Sequence, residues 1–142
     1  MRSAILALGI FVSSCFGATD HRDLLDAICK VESNCQEDAV GDGGNAIGPY
    51  QIWKVYWKDA LEFDPSIGGC YEDCLNKEYA EKVVLAYWKR YATERRLGRP
   101  VTDEDRARIH NGGPRGYNKK STEKYWKKVK DVLTPNTPSR ER

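Results

Sequence analysis

The sequence predicts a single α+β domain that is mainly α-helical, with one small β-hairpin region after the first helix. Apolar residues recur at helical spacing in five segments, and a turn-rich stretch with three glycines, residues 40–45, separates the first two. The length of 142 residues suits one domain. A composition of 40% hydrophobic and 11% aromatic residues excludes global disorder.

The first 17 residues have the pattern of a secretory signal peptide. Arg2 precedes an apolar run over residues 4–12, and small residues lead to Gly17. The run is too short to span a bilayer. We therefore predict cleavage after Gly17 and a secreted, extracellular domain over residues 18–133. Residues 12–15, which end in Cys15, also resemble a bacterial lipoprotein cleavage site, and this remains the alternative.

Net charge and cysteine content argue against nucleic-acid-binding and zinc-binding functions. A net charge of +2 excludes a strongly basic nucleic-acid-binding arm. The four cysteines beyond residue 17 can pair in three ways, and we favour the local disulfides Cys29–Cys35 and Cys70–Cys74. Neither pair has Cys-x-x-Cys spacing and both histidines lie elsewhere, which disfavours zinc. We predict no metal, no other cofactor, no nucleic-acid or membrane partner, and a monomer or weak dimer.

The first two helices flank the glycine-rich stretch. Leu24, Leu25, Ile28 and Val31 mark one apolar face of a helix over residues 20–33. Residues 40–45 then predict turns, at the tip of a short hairpin. Gly48-Pro49 breaks the chain before a second helix over about residues 51–61, and residues 63–73 predict a loop.

Three further helices follow. Asn76 is placed to cap a helix that runs to about residue 91, and Thr102 with Asp105 predicts a capping box for the next one. That helix ends in the glycine–proline signal of residues 111–114. The last helix begins near residue 121 and buries Tyr125, Val129, Val132 and Leu133. Residues 134–142 contain two prolines and predict a flexible tail.

Two carboxylates have sequence surroundings that favour opposite protonation states. Glu32 lies near the C-terminal end of the first predicted helix, where the helix dipole disfavours the negatively charged form of a carboxyl group. Asp42 lies ten residues on, in the glycine-rich turn, where backbone amides and water favour the ionised form. One protonated and one ionised carboxyl group make an acid–nucleophile pair. With 21 acidic residues in the chain, the spacing alone favours a surface glutamate and a turn aspartate without a catalytic role.

Six blocks of the chain resemble the invertebrate-type lysozymes of the destabilase family. They occur in the family's order and together cover roughly residues 24–133. The most specific is the Ile-His-Asn-Gly-Gly-Pro run that begins at residue 109, and Gly-Pro-Tyr-Gln-Ile begins at residue 48. The blocks are residues 31–35, 48–52, 56–59, 86–91, 107–116 and 121–129.

The resemblance implies a lysozyme-like fold and hydrolysis of the β-1,4 bond between N-acetylmuramic acid and N-acetylglucosamine in bacterial peptidoglycan. By position, Glu32 matches the general acid. Asp42, six residues before Gly48, matches the second carboxylate, with Asp38 as the alternative. The resemblance also implies a cleft that binds peptidoglycan or N-acetylglucosamine oligosaccharides. Candidates for one wall are Tyr50, Gln51, Tyr56 and Trp57, and for the other wall His110, Asn111, Gly112 and Gly113.

The chain departs from the family pattern at two kinds of position. Family members carry more cysteines, whereas this chain has Ala60 and Tyr117 where cysteines are expected. Some members are isopeptidases, an activity tied to a serine between the catalytic aspartate and the Gly-Pro-Tyr-Gln-Ile block. Residues 43–47 contain no hydroxyl group, so we predict no isopeptidase activity. Two other functions stay open, a catalytically silent carbohydrate-binding protein and a lytic transglycosylase.

Overall fold

The computed structural model describes residues 21–134. The predicted signal peptide, Asp20 at the start of the first predicted helix, and residues 135–142 of the predicted tail lie outside this range. Within it, six α-helices and one three-stranded antiparallel sheet confirm the mainly helical α+β class. None of the helices between residues 21 and 134 is long and apolar enough to cross a membrane.

One α-helix comes first and the three strands follow it. All later regular elements are helices. The helices are α1 (Arg22–Ser33), α2 (Lys54–Phe63), α3 (Lys77–Tyr91), α4 (Glu94–Leu97), α5 (Asp103–Gly112) and α6 (Glu123–Leu133). The strands are β1 (Val40–Gly41), β2 (Ala46–Ile47) and β3 (Ile52–Trp53). Short 3₁₀ helices occupy Asp42–Gly44, Pro65–Ile67, Tyr71–Leu75, Gly116–Asn118 and Lys120–Thr122.

Side-chain caps fix the starts of α3 and α5, as the sequence predicts. The Asn76 side chain accepts a hydrogen bond from the Tyr79 N–H at 3.0 Å. Thr102 Oγ1 accepts from the Asp105 N–H at 3.2 Å, and Asp105 Oδ2 accepts from the Thr102 N–H at 2.9 Å. Each cap satisfies an amide that has no partner within the helix. The predicted capping box is therefore confirmed.

The second helix starts later than predicted. Gln51 has a φ of 49°, and Ile52–Trp53 form β3, which pairs with β2 in the register Ala46↔Trp53 and Ile47↔Ile52. Because these residues are held in a sheet, α2 begins only at Lys54. The predicted hairpin is extended by a third strand, and Trp53 stands on that strand instead of inside the helix.

The hydrophobic core lies between the helices. Helix α1 packs against α6, α2 packs against α3, and α5 contacts both α3 and α6. Full burial of one such aliphatic side chain contributes roughly 1.5–3 kcal/mol. Fully buried members of this core include Leu25, Ile28, Val83, Val84, Ile109 and Val129.

One of the two predicted disulfides is present. Cys29 and Cys35 are bonded across the end of α1, with their Cα atoms 4.9 Å apart. The predicted Cys70–Cys74 bond is wrong, since both thiols are free. Cys70 is exposed and its sulfur accepts from the Asp73 N–H at the start of a 3₁₀ helix, whereas Cys74 is buried in the core. The two side chains therefore differ in their access to solvent.

Candidate active site

A cleft of about 760 Å³ lies where the ends of α1 and α5 meet the small sheet. Both predicted carboxylates, Glu32 and Asp42, line it. The sheet side contributes Gly41, Gln51 and Trp53, and the end of α5 contributes Asn111, Gly112 and Gly113.

Glu32 occupies the second-last position of α1 and is largely withdrawn from water. Its side chain is 18% exposed. The buried hydroxyl of Tyr125, on α6, lies beside it and makes no hydrogen bond to any other described residue. Burial, and next the electrostatic interaction with the neighbouring Glu32 side chain, hold the pKa of Tyr125 well above its usual range. The Glu32 carboxyl group thus lies between buried side chains and the open cleft.

Covalent and polar contacts fix the end of α1. Asn34 and Cys35 have φ values of 55° and 60°, and they reverse the chain inside the turn that the Cys29–Cys35 bond closes. Ser33 Oγ donates to the Pro49 carbonyl at 2.8 Å and accepts from the Gln36 N–H at 3.1 Å. The residue after Glu32 is therefore tied to the segment that leads into β3.

His110 connects α5 to both neighbouring elements. Its side chain is 3% exposed. The Nε2 atom lies 3.1 Å from the Tyr50 carbonyl oxygen, and Nδ1 lies 3.1 Å from the Tyr56 hydroxyl. Because a carbonyl oxygen only accepts, this network assigns the proton of the neutral ring to Nε2, and Nδ1 then accepts from Tyr56. The same Nε2 lies 3.4 Å from Glu32 Oε1.

Asp42 has a different environment. It is exposed, in the short turn after β1, with a φ of 49°. Its Oδ2 atom accepts a hydrogen bond from Trp53 Nε1 at 3.2 Å, and its carbonyl oxygen accepts from Asn45 Nδ2 at 3.0 Å. Gly43, with a φ of 63°, supplies the left-handed backbone that the turn needs. The carboxylate is thus positioned by one side-chain donor and is otherwise open to water.

The alternative carboxylate lies elsewhere. Asp38 is exposed in the loop before β1, and it is not part of the cleft lining within residues 21–134. The geometry therefore favours Asp42 over Asp38 as the partner of Glu32.

Six of the eight predicted sugar-binding residues lie at the cleft. Gln51 is among them, although its Nε2 also donates to the Gly48 carbonyl at 2.9 Å and so helps to hold the turn. The six are Gln51, Tyr56, His110, Asn111, Gly112 and Gly113.

The prediction that Tyr50 and Trp57 face the cleft is wrong. Tyr50 is fully buried, and its hydroxyl donates to Glu81 Oε1 at 2.8 Å. Burial, with the hydrogen bond to the Glu81 carboxylate, raises the pKa of Tyr50. Trp57 donates to the Tyr79 hydroxyl at 2.9 Å. Because consecutive helical residues point about 100° apart, Tyr56 at the cleft directs Trp57 away from it.

The sequence analysis missed several cleft residues, and Trp53 is the most prominent. Its side chain is 45% exposed, and the neighbouring cleft residue Val55 is 63% exposed. The signal that could have found Trp53 is the pair Ile52-Trp53, two strongly strand-forming residues directly after the Gly-Pro turn. The other missed residues are Gly41, Asp59, Tyr87, Pro114 and Lys119.

Comparison with known proteins identifies the family. The Destabilase family model matches residues 21–132. Lysozyme 1 of Crassostrea virginica is 39% identical over 108 residues, which cover 74% of this chain and 55% of that protein. The lysozyme of Meretrix lusoria is 37% identical over 111 residues, covering 76% of this chain and 86% of that protein. The names of these relatives support a lysozyme function.

Solved structures agree with the predicted lysozyme-like fold. The Meretrix lusoria lysozyme, in its crystal structure with Aeromonas hydrophila PliI, matches with a TM-score of 0.68 and 36% identity over 78% of this chain and 88% of that chain. The crystal structure of Tapes japonica lysozyme matches with a TM-score of 0.66 and 30% identity, over 83% of this chain and 90% of that chain. From its sequence and its fold, the chain belongs to the destabilase family, that of the invertebrate-type lysozymes.

Proposed function

We propose that the chain is a secreted lysozyme that hydrolyses the β-1,4 bond between N-acetylmuramic acid and N-acetylglucosamine in peptidoglycan, as a glycoside hydrolase. The observation that carries this proposal is the pairing of Glu32 with Asp42 at one cleft in opposed surroundings. Glu32 is 18% exposed, whereas Asp42 is open to water. Such a pair supplies an acid and an anion on the two sides of a glycosidic bond, a chemistry for which a lysozyme is the type example.

In the proposed mechanism, Glu32 gives its proton to the glycosidic oxygen as the bond from that oxygen to the anomeric carbon breaks. The Asp42 carboxylate bonds to the anomeric carbon or stabilises its positive charge. A water molecule then attacks the anomeric carbon, gives a proton to Glu32 and releases Asp42. Two displacements at one carbon retain its configuration.

The proposed location is extracellular, in antibacterial defence or in digestion. The Cys29–Cys35 bond is of a kind that persists in oxidising compartments. The signal-peptide pattern of residues 1–17 supports the same location.

The test is turbidity clearing of Gram-positive cell walls by residues 18–142. We expect clearing by the wild type, and a loss of roughly 100-fold or more in rate for Glu32→Gln and for Asp42→Asn. Asp38→Asn is the matched control and should clear at the wild-type rate, because Asp38 is exposed outside the cleft.

Product mass separates the alternatives. Hydrolysis adds one water to each cleaved bond, whereas a lytic transglycosylase yields an anhydro product that lacks it. An anhydro product would contradict the proposal. Binding of the wild type to the walls without clearing would also contradict it, and would identify a silent carbohydrate-binding protein.

A further inference from the structure

We propose that the exposed face of Trp53 is a stacking platform for one N-acetylhexosamine ring of a β-1,4-linked chain, on the Asp42 side of the cleft. This inference rests on the proposed function and goes beyond it, because it assigns a sugar subsite to a residue outside the catalytic pair.

The sheet leaves the indole uncovered. Trp53 lies on β3 opposite Ala46, and Gly41 is the next residue across, on β1. No large side chain of this cross-strand row can therefore lie over the ring. Trp53 is 45% exposed, while the other three tryptophans of the chain, Trp57, Trp88 and Trp126, are buried or half-buried.

Exposure alone does not make a binding site, because single apolar side chains are common on protein surfaces. Phe63, at the end of α2, is 47% exposed and is such a case, since it lies outside the cleft. Trp53 differs from Phe63 in two respects. It lines the cleft beside Val55, and its indole N–H is bonded to the Asp42 carboxylate at 3.2 Å.

The hydrogen bond to Asp42 determines which part of the indole remains for a ligand. The only polar group of the ring, the indole N–H, already donates to Asp42. What the ring offers to the cleft is therefore an apolar face next to a carboxylate.

The opposite wall has the complementary chemistry. Asn111 brings a side-chain amide to the cleft. The carbonyl oxygens of Gly112 and Gly113 already accept from Lys119 Nζ at 2.6 Å and from the Gly116 N–H at 2.7 Å, and each keeps a second lone pair. A pyranose ring has an apolar face of C–H groups and a rim of hydroxyl and N-acetyl groups. An apolar platform facing a few polar groups is the arrangement that binds and orients such a ligand.

The experiment measures equilibrium binding of the N-acetylglucosamine tetramer by calorimetry, in the Glu32→Gln background, where the proposed mechanism slows turnover by roughly 100-fold or more. Trp53→Ala removes the ring, Trp53→Phe keeps an aromatic face without the N–H, and Phe63→Ala is the control. We expect Trp53→Ala to weaken binding about three- to tenfold, as for loss of one aromatic stacking contact. Trp53→Phe and Phe63→Ala should bind within about twofold of the parent.

A second measurement uses the fluorescence of the exposed tryptophan. The tetramer should change the emission of the Glu32→Gln parent, and Trp53→Phe should lose most of that change. Thermal melting of each variant shows whether the fold is intact.

The outcomes distinguish this inference from the proposed function. Equal binding by the parent and Trp53→Ala overturns the subsite and leaves the proposed function standing if the wild type clears cell walls. Weakening by Trp53→Phe as large as that by Trp53→Ala overturns stacking in favour of the hydrogen bond to Asp42. Failure of the parent to bind, together with failure of the wild type to clear walls, overturns both.

Discussion

The Nε2 atom of His110 lies 3.4 Å from Oε1 of Glu32, on a ring that two other hydrogen bonds already hold in place. We therefore predict that His110 is a positioning residue for the proposed acid. We expect His110→Ala to lower the rate of wall clearing, because the Glu32 carboxyl loses its nearest ring nitrogen.

The same substitution should also lower the free energy of unfolding by about 1–3 kcal/mol, since it leaves the Tyr56 hydroxyl without its partner in a buried site. Clearing rates and urea unfolding measure the two effects. Trp57→Phe is the control, because it removes one hydrogen bond outside the cleft and should spare the rate. Full activity in folded His110→Ala would contradict the positioning role.

The protein should lack isopeptidase activity. The polar contacts of His110 within residues 21–134 are to Tyr56, to the Tyr50 carbonyl and to Glu32, and none is a serine or cysteine nucleophile. A chromogenic γ-glutamyl-lysine substrate should remain uncleaved at enzyme concentrations that clear cell walls. Cleavage that His110→Ala abolishes would contradict this prediction.

The capping box of α5 should make stability depend on acid pH. Burial opposes ionisation of Asp105, but two bonds from Arg99, each 2.7 Å, and those from Thr102 outweigh it and lower the pKa to about 2 from 3.8. Because the folded pKa lies below the unfolded one, the contribution is complete above about pH 4 and is lost as pH falls towards 2. Asp105→Asn should lower the free energy of unfolding by about 1–3 kcal/mol at pH 7.

Urea unfolding at pH 7, 4 and 2.5 measures this dependence. The difference between wild type and Asp105→Asn should shrink between pH 4 and 2.5. Asp103→Asn is the control, because the Asp103–Arg106 pair is 3.2 Å long with Asp103 53% exposed, and such pairs contribute about 0–1 kcal/mol. A difference that stays constant across this range would exclude Asp105 as its source.

The mature chain should carry two thiols of very different reactivity. Burial raises the pKa of Cys74 to about 12 and shields its sulfur from reagents. Desolvation raises the pKa of Cys70 as well, but its sulfur is exposed. A thiol reagent at pH 8 should label one cysteine in the native protein and two in denaturant, and Cys70→Ser should abolish the native labelling. Absence of any thiol in denaturant would restore the Cys70–Cys74 disulfide that the sequence analysis favoured.

Elements whose ends are set by neighbouring residues could be predicted from the sequence, whereas elements set by contacts between distant segments could not. The caps at Asn76 and Thr102 act within three residues, so the starts of α3 and α5 follow directly from the sequence. The start of α2 depends on pairing of Ile52–Trp53 with β2, a contact between segments that the local pattern does not contain.

For the candidate site, too, some residues could be predicted from the sequence and others depend on packing. The family blocks indicate Glu32 directly and Asp42 by its distance from Gly48, and both carboxylates lie at the cleft. Helical spacing fixes the angle between Tyr56 and Trp57, but packing of α2 against α3 decides which of them faces the cleft. For that reason the sequence analysis places Trp57 wrongly. It misses Trp53 because the pairing of β3 with β2 is not part of the local pattern.

The Cys29–Cys35 bond encloses Glu32 in a ring of only a few residues. A loop this short removes little entropy from the unfolded chain, so the bond contributes more to local geometry than to global stability. Chemical reduction should therefore inactivate the enzyme at reductant concentrations that leave it folded, which parallel assays of clearing and circular dichroism would reveal. Activity would then report the redox state of the surroundings, and the protein would work outside the cell yet be silenced, still folded, in a thiol-rich compartment.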